Sequence, residues 1–285
     1  MIVTNERLED RVRDEFLPPA GGGIRASVAW RAFVALAVCL VGPSRLDAQG
    51  GPPYYTNDPG TPGNRQWEIN VGEMPLQTSD QSTWRTPDLD LNYGVGDRIQ
   101  LTFEVAWLRN RLAGAPPKYG LSQDTFGLKW RWWGDEPGLA VSVFPQVSIN
   151  NPTDSVKRGL VPPGGSFALP MQVSKQFGPI AINGELGYTF VQSGPNTWLT
   201  GVVAGHEKRI RHRKSGFEID AEFYASGDVS GNVTQETLGG GFRFEVHPPF
   251  VLLAMAGRSL RHPTGSFNGY FGMQLLLPPK DFDTR

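Results

Sequence analysis

The sequence predicts an all-β protein, an antiparallel up-and-down transmembrane β-barrel of about twelve strands behind a cleavable leader. Three observations predict it. Short runs of strict in/out alternation begin near Trp67 and recur to Leu277, with no helical periodicity between them. Each run is about ten residues long, the length a tilted strand needs to cross a bilayer core. The links between runs tend to alternate between long and short, as they do between the outer and periplasmic ends of such barrels.

The segment Arg98–Leu108 shows the pattern most clearly. Ile99, Leu101, Phe103, Val105 and Trp107 fall on one parity, and Arg98, Gln100, Thr102, Glu104 and Ala106 on the other. Successive side chains of a strand point to opposite faces, so this segment has one apolar and one polar face. The full set of expected strands is Gln66–Met74, Arg85–Tyr93, Arg98–Leu108, Asp124–Trp133, Leu139–Ile149, Ser166–Phe177, Ile180–Gln192, Trp198–His206, Phe217–Tyr224, Gln235–Val246, Phe250–Gly257 and Phe267–Leu277. The links Pro75–Trp84, the one through Pro116-Pro117, Asn150–Gly165 and Ser226–Thr234 read as long. Those at Gly94–Asp97, Gly134–Gly138, Gly178-Pro179 and His247–Pro249 read as short. Two links break the alternation, Ser193–Thr197 and Glu207–Gly216. Both flank Trp198–His206, the least regular strand.

Composition agrees. Of 285 residues, 39% are apolar, too few for a helical membrane protein and suited to a barrel that is half polar. The 35 glycines and 24 prolines point to many turns. A net charge of −1 suggests no nucleic-acid partner. A soluble β-sandwich is the competing fold. The length of the strands, the leader, and Trp67, Trp107, Trp132 and Trp198 near strand ends favour the barrel, where tryptophans form interfacial belts.

Residues 1–48 read as leader and signal peptide. Arg25 and Arg31 supply positive charge, Ala32–Val41 is a short apolar core, and Ala48 is a small residue before a cleavage point at Gln49. Cys39, the one cysteine, lies in that core and would be discarded, leaving a mature chain without thiol or disulfide chemistry. Removing this leader takes away six acids and six bases and leaves 21 basic against 22 acidic residues. Residues 49–65, rich in Pro, Gly and Asn, form a periplasmic or plug segment. Residues 66–277 are the barrel and 278–285 a C-terminal tail. In a closed barrel Phe267–Leu277 must pair with Gln66–Met74, with Asn70 facing Gln274 as one register. Phe267, Phe271, Met273, Leu275 and Leu277 would then meet lipid, with Gly269 relieving crowding between Phe267 and Phe271.

The inward parity is the candidate functional set. Its charged members are Glu68, Asp90, Arg98, Glu104, Lys129, Arg131, Glu185, Glu218, Asp220, Glu222, Arg243 and Glu245. The excess of acids would favour cations, while pairing across a narrow lumen would instead fill it. Asn57-Asp58 reads as an Asx turn before Pro59, with cation coordination or plugging of the periplasmic mouth as alternatives. The basic run Glu207–Lys214 reads as a solvated turn or a contact for headgroups or peptidoglycan. Gly239-Gly240-Gly241 lies inside an alternating strand and points to a bend or close packing in the lumen.

No catalytic residue, cofactor site or metal site is expected. His206, His212, His247 and His262 lack ligand spacing, and no nucleophile motif surrounds Ser166, the serine available to a Ser/His pair with His206 or His262. The expected partners are outer-membrane lipid, the barrel-assembly machinery and a small-molecule substrate that the residues do not identify.

Pro53–Gly63 leading into Gln66-Trp67-Glu68-Ile69-Asn70 resembles the opening of the outer-membrane proteins called the MetA-pathway of phenol degradation family. Asp90–Leu101 resembles the second hairpin of that family, with its Gly-x-x-Asp turn, and Gly269–Leu275 its closing strand. The chain departs at Asn57, where the family often has Asp, and at its end, where Pro278–Arg285 replaces a terminal aromatic. The resemblance implies an outer-membrane barrel in a Gram-negative-type bacterium that transports small hydrophobic or aromatic compounds. The other functional class is a structural or adhesive barrel with a filled lumen.

Overall fold

The computed structural model describes residues 51–135, 138–209, 216–261 and 266–278. The leader with Cys39, the basic turn at 210–215, His262 and the tail beyond Pro278 lie outside them. The described residues form fourteen strand segments: β1 (Trp67–Gln77), β2 (Gln81–Val95), β3 (Ile99–Leu112), β4 (Lys118–Leu121), β5 (Asp124–Trp133), β6 (Ala140–Val143), β7 (Gln146–Ile149), β8 (Ser166–Phe177), β9 (Ile180–Val191), β10 (Thr197–Arg209), β11 (Gly216–Asp228), β12 (Val233–His247), β13 (Phe250–Ser259) and β14 (Phe267–Leu277). β4 and β5 are one barrel strand interrupted at Ser122-Gln123. β6 and β7 are another, interrupted at Phe144-Pro145. The wall is therefore twelve-stranded.

Every neighbouring pair is antiparallel, and β1 pairs with β14 to close the sheet, with Asn70 opposite Gln274. Closure leaves no row of unpaired N–H and C=O groups facing hydrocarbon, where each would cost several kcal/mol. Both ends of the barrel chain, Trp67 and Leu277, sit at one rim, the periplasmic rim by the convention of such barrels.

The parity read from the sequence holds in three dimensions. Asn268, Tyr270 and Gln274 of β14 are buried inside, while Phe267, Phe271 and Met273 are exposed on the outer face. A Cβ on Gly269 would come within 3.0 Å of the Phe267 ring, so a larger residue would crowd that face. Leu101, Phe126, Leu128, Leu186 and Phe190 are exposed outward in the same way, a lipid-facing belt. Trp67 stacks on Tyr93 at 4.8 Å near the periplasmic rim, while Trp107 stands exposed further out. Trp198, in the least regular strand of the sequence reading, lies near the start of β10, which pairs with β9 from Thr197 to Gly205 and with β11 from Thr197 to Arg209, and its Nε1 donates to the Asp228 carbonyl.

The expected long outer links are mostly strand. β1 and β2 run on to a tight turn at Thr78–Asp80, β3 continues to Leu112, and β11 and β12 meet across 229–232. The outer ends, such as Gln77, Gln81, Thr83, Arg109 and Arg111, lose the apolar parity because they rise above the lipid. Their ladder is built from backbone and continues regardless. The segment 150–165 remains a long loop. Ser155 packs under Gly120, Arg158 donates to the Tyr119 carbonyl at 2.8 Å, and Lys118 to the Arg158 carbonyl at 2.8 Å. The loop thus covers the side of β4 that carries no strand partner, a standard protection of an edge. At its exposed tip the Lys157 ammonium, 3.0 Å from Asp154, holds that carboxyl below its ordinary pKa.

Two outcomes test this architecture. Cysteines placed at Asn70 and Gln274, and in a second variant at Ile69 and Leu275, sample the two alternating geometries of an antiparallel ladder. At least one pair should form a disulfide in membrane-inserted, heat-modifiable protein, read as a gel shift reversed by reductant. Phe103→Arg on the lipid face should cost about 2–4 kcal/mol in reversible unfolding from liposomes, and Phe103→Leu far less.

Candidate functional site: the barrel lumen

The lumen is built from the inward parity of the wall together with the segment before β1. Gly51–Asn64 contains Pro52, Pro53, Pro59 and Pro62, which remove four backbone donors that would otherwise need partners inside the barrel. Several of the N–H groups that remain find acceptors. Gly51 donates to the Thr56 carbonyl and Tyr54 to the Gly51 carbonyl, which folds the segment on itself. The Thr56 N–H donates to Glu222 Oε1 at 2.7 Å and the Asn57 N–H to Glu185 Oε2 at 2.9 Å. The Asn57 side-chain amide adds a bond to Glu185 Oε1 at 3.3 Å. Hydrogen bonds to a charged group contribute about 1.5–3 kcal/mol each, so these two carboxylates are the main polar anchors. Asp58 forms the expected Asx turn, accepting the Gly60 N–H at 2.9 Å, and also pairs with Lys129 at 3.8 Å. The segment is thus a plug, and the Asx turn is part of it.

The wall is shaped to receive it. A Cβ on Gly201 would collide with the Thr56 side chain, and one on Gly241 would lie 2.9 Å from the Tyr54 hydroxyl. Of the glycine run at 239–241, Gly241 therefore gives close packing in the lumen, one of the two roles expected of that run. Tyr54 packs with Val203, Val251, Leu253, Met255 and Tyr270 in an apolar cluster inside the barrel. This explains why β13 is apolar on both faces: one meets lipid and the other meets the plug. Tyr55 stacks on Tyr224 at 5.0 Å.

Most sequence-predicted charges meet in this interior. Glu185 and Glu222 hold the plug. Arg243 spans 3.5 Å to Glu218, donates to Gln274 Oε1 at 2.7 Å and reaches the Pro52 carbonyl at 3.4 Å. Asp220 is buried beside Tyr54. Glu68, Asp90, Glu104 and Lys129 line a cavity on the opposite side. Three members of the predicted set lie elsewhere. Arg98 and Arg131 reach Asp135 at the periplasmic turn, at 3.0 and 3.7 Å, and Glu245 is exposed and accepts the Gly216 N–H. They share the inward parity, but the strands end there, so they form the rim rather than the lumen.

The structure adds residues that the sequence reading missed. Arg85 pairs with Asp88 at 2.8 Å and with Glu104, inside the barrel. Asp88 has the parity of Asp90 and was within reach of the pattern. Arg85 has the opposite parity. The ladder slips between Arg85 and Asp88, at Thr86-Pro87, and this bulge turns Arg85 inward. Uncharged inward residues complete the network. Asn92 accepts from Gln100 at 2.7 Å and from Thr102 at 2.6 Å, and Gln172 links Ser142 to Glu185.

The plug fills the lumen against β9–β13. Toward β1, β2, β3 and β5 it leaves a cavity of about 360 Å³. Around it stand Tyr55, Met74, Leu76, Phe144 and Tyr270 beside the charged residues. Of the pairs considered for hydrolysis, Ser166 and His206 do not meet, and His262 lies outside the described residues. Ser166 lies at the outer end of β8 opposite Val191, while His206 contacts the Pro179 carbonyl near the periplasmic turn.

A closed twelve-stranded barrel, apolar outside and charge-lined inside, has the architecture of an outer-membrane β-barrel protein. Comparison with solved structures agrees on the fold. An outer-membrane channel of the COG4313 group from Pseudomonas putida F1 aligns over 80% of this chain and all of its own, with a TM-score of 0.51 at 12% identity. The NanC porin aligns over 74% of this chain and all of its own, with a TM-score of 0.47 at 8% identity. No protein-family model and no curated protein sequence matches the chain.

The plug's seat gives a direct test. Gly201→Leu should expel the segment without breaking the ladder, since the nearest atoms that a Cβ there would meet all belong to the Thr56 side chain. Chymotrypsin should then cleave after Tyr54 or Tyr55 in the folded variant and leave the wild-type segment intact.

Proposed function

We propose that the protein is an outer-membrane channel for small molecules, narrowed from within by its N-terminal segment. The observation that carries this reading is the cavity of about 360 Å³ left between the plug and β1, β2, β3 and β5. The fold shared with a protein described as an outer-membrane channel supports it. So does the resemblance to the MetA-pathway of phenol degradation family, which points to hydrophobic or aromatic cargo. Met74, Leu76, Tyr55 and Tyr270 give the cavity an apolar side suited to such molecules. Passage is passive on this reading, and no lumen residue has a catalytic role.

The second reading is a structural barrel that passes nothing. It draws on the apolar cluster around Tyr54, which closes one side of the lumen as a protein core does. Conductance separates the two. In planar bilayers the intact protein should show small discrete openings, and deletion of residues 51–61 should raise the unit conductance several-fold. A deletion variant that is folded, inserted and silent would overturn the channel reading.

A further inference from the structure

The cavity wall carries more acid than base. Asp58, Glu68, Asp88, Asp90 and Glu104 line it against Arg85 and Lys129. Lys129 takes Asp58, and Arg85 takes both Asp88 and Glu104. Glu68 and Asp90 are left with amides. Asn70 Nδ2 donates to Glu68 Oε1 at 3.1 Å and to Asp90 Oδ2 at 3.0 Å, and Asn92 Nδ2 to the same Asp90 oxygen at 3.0 Å. Among the described residues no cation pairs with either carboxylate, and Asp90 Oδ1 is buried with no hydrogen-bond partner. Two carboxylates bridged by one neutral amide leave an uncompensated charge in a poorly solvated place, which a bound cation would relieve.

The surroundings decide which cation. No group of carboxylates among the described residues converges to hold a metal ion. Glu68, Asn70, Gly72, Met74 and Leu76 follow one another along one parity of β1, so the carboxylate end of the row runs into an apolar end. Tyr270 lies across the middle, over Gly72, and Tyr55 lines the same space. An ammonium beside Glu68 and Asp90 would have its apolar body extend past the Tyr270 ring toward Met74 and Leu76.

Taking the channel reading as its frame, we propose that this cavity is a binding site for a primary organic ammonium with an apolar or aromatic body. Glu68 and Asp90 receive the ammonium, and Tyr270, Met74 and Leu76 receive the body. The site makes amines, rather than neutral or acidic aromatics, the cargo class.

The test is calorimetric titration of the full protein in nonionic detergent with phenethylammonium, phenylacetate, 2-phenylethanol and methylammonium. Phenethylammonium should bind saturably. Phenylacetate should not bind, and the neutral alcohol and the methyl compound should each bind at least about tenfold more weakly. Asp90→Asn and Glu68→Gln should each weaken phenethylammonium about tenfold. Asp154→Asn, in the outer loop, should leave it unchanged. Heat-modifiable migration shows that each variant is folded. Phenylacetate binding as tightly as the amine, or full affinity in the Asp90→Asn, Glu68→Gln double variant, would overturn the site. Saturable binding in a protein that conducts no ions would keep the site and overturn the channel reading. Conductance without amine binding would overturn the site alone.

Discussion

The structure depends on one constraint: hydrocarbon offers no hydrogen bonds to a backbone. Each strand must therefore have a neighbour on both sides, and the ladder has to close between β1 and β14. The pairing of Asn70 with Gln274 completes it. Once the wall is closed, side-chain direction follows from the pleat. Alternate residues meet lipid or lumen, and tryptophans gather where the wall enters the headgroups. Where the wall is interrupted the chain repairs it locally. The Leu128 N–H donates to the Pro145 carbonyl and the Phe144 N–H to the Pro170 carbonyl across the break between β6 and β7.

Closing the wall creates a second problem inside it. Alternate positions point into a narrow, poorly solvated lumen, and the chain places many charges there. Arg85 and Arg243 each serve several acceptors, and Lys129 meets Asp58 of the plug. Glu222 and Glu185 instead accept from backbone N–H groups, of Thr56 and Asn57 respectively. The plug is therefore part of the lumen's electrostatics as well as its shape. Against β9–β13 it leaves Glu185, Glu218, Asp220 and Glu222 with Arg243, and along β1 and β2 a carboxylate excess beside an open cavity.

The lumen is also asymmetric in hydrophobicity. The Tyr54 cluster makes the β13 side resemble the core of a soluble domain, while the β1–β3 side remains polar and open. Burying that cluster holds the plug by a force that does not depend on its two carboxylate anchors. Loss of a single anchor should loosen the plug rather than release it, whereas a clash at Gly201 acts on the whole segment.

Much of this was legible in the chain alone. Period-two alternation is a local property, so the strands, their faces and the closing pair at Phe267–Leu277 follow from it. Glu185, Glu222 and Arg243 share the inward parity and fall where that parity puts them. The outer ends of the strands were not legible, because polar side chains above the lipid hide a ladder that is purely backbone. Arg85 was hidden by the bulge at Thr86-Pro87, which inverts parity for reasons of pairing rather than pattern. The inner face of β13 is apolar like its outer face, and it packs on Tyr54 of the plug, a contact that alternation alone does not specify. Outside the bulge at Thr86-Pro87, the sequence by itself determined which strand residues face in and which face out, since the pleat of a strand needs no distant partner. Only the tertiary structure decided which inward charges meet, which meet the plug, and which two carboxylates are left beside a cavity. Some of those relations, such as Thr56 with Glu222 and Asn57 with Glu185, join residues more than a hundred positions apart, and the folded ladder brings them together.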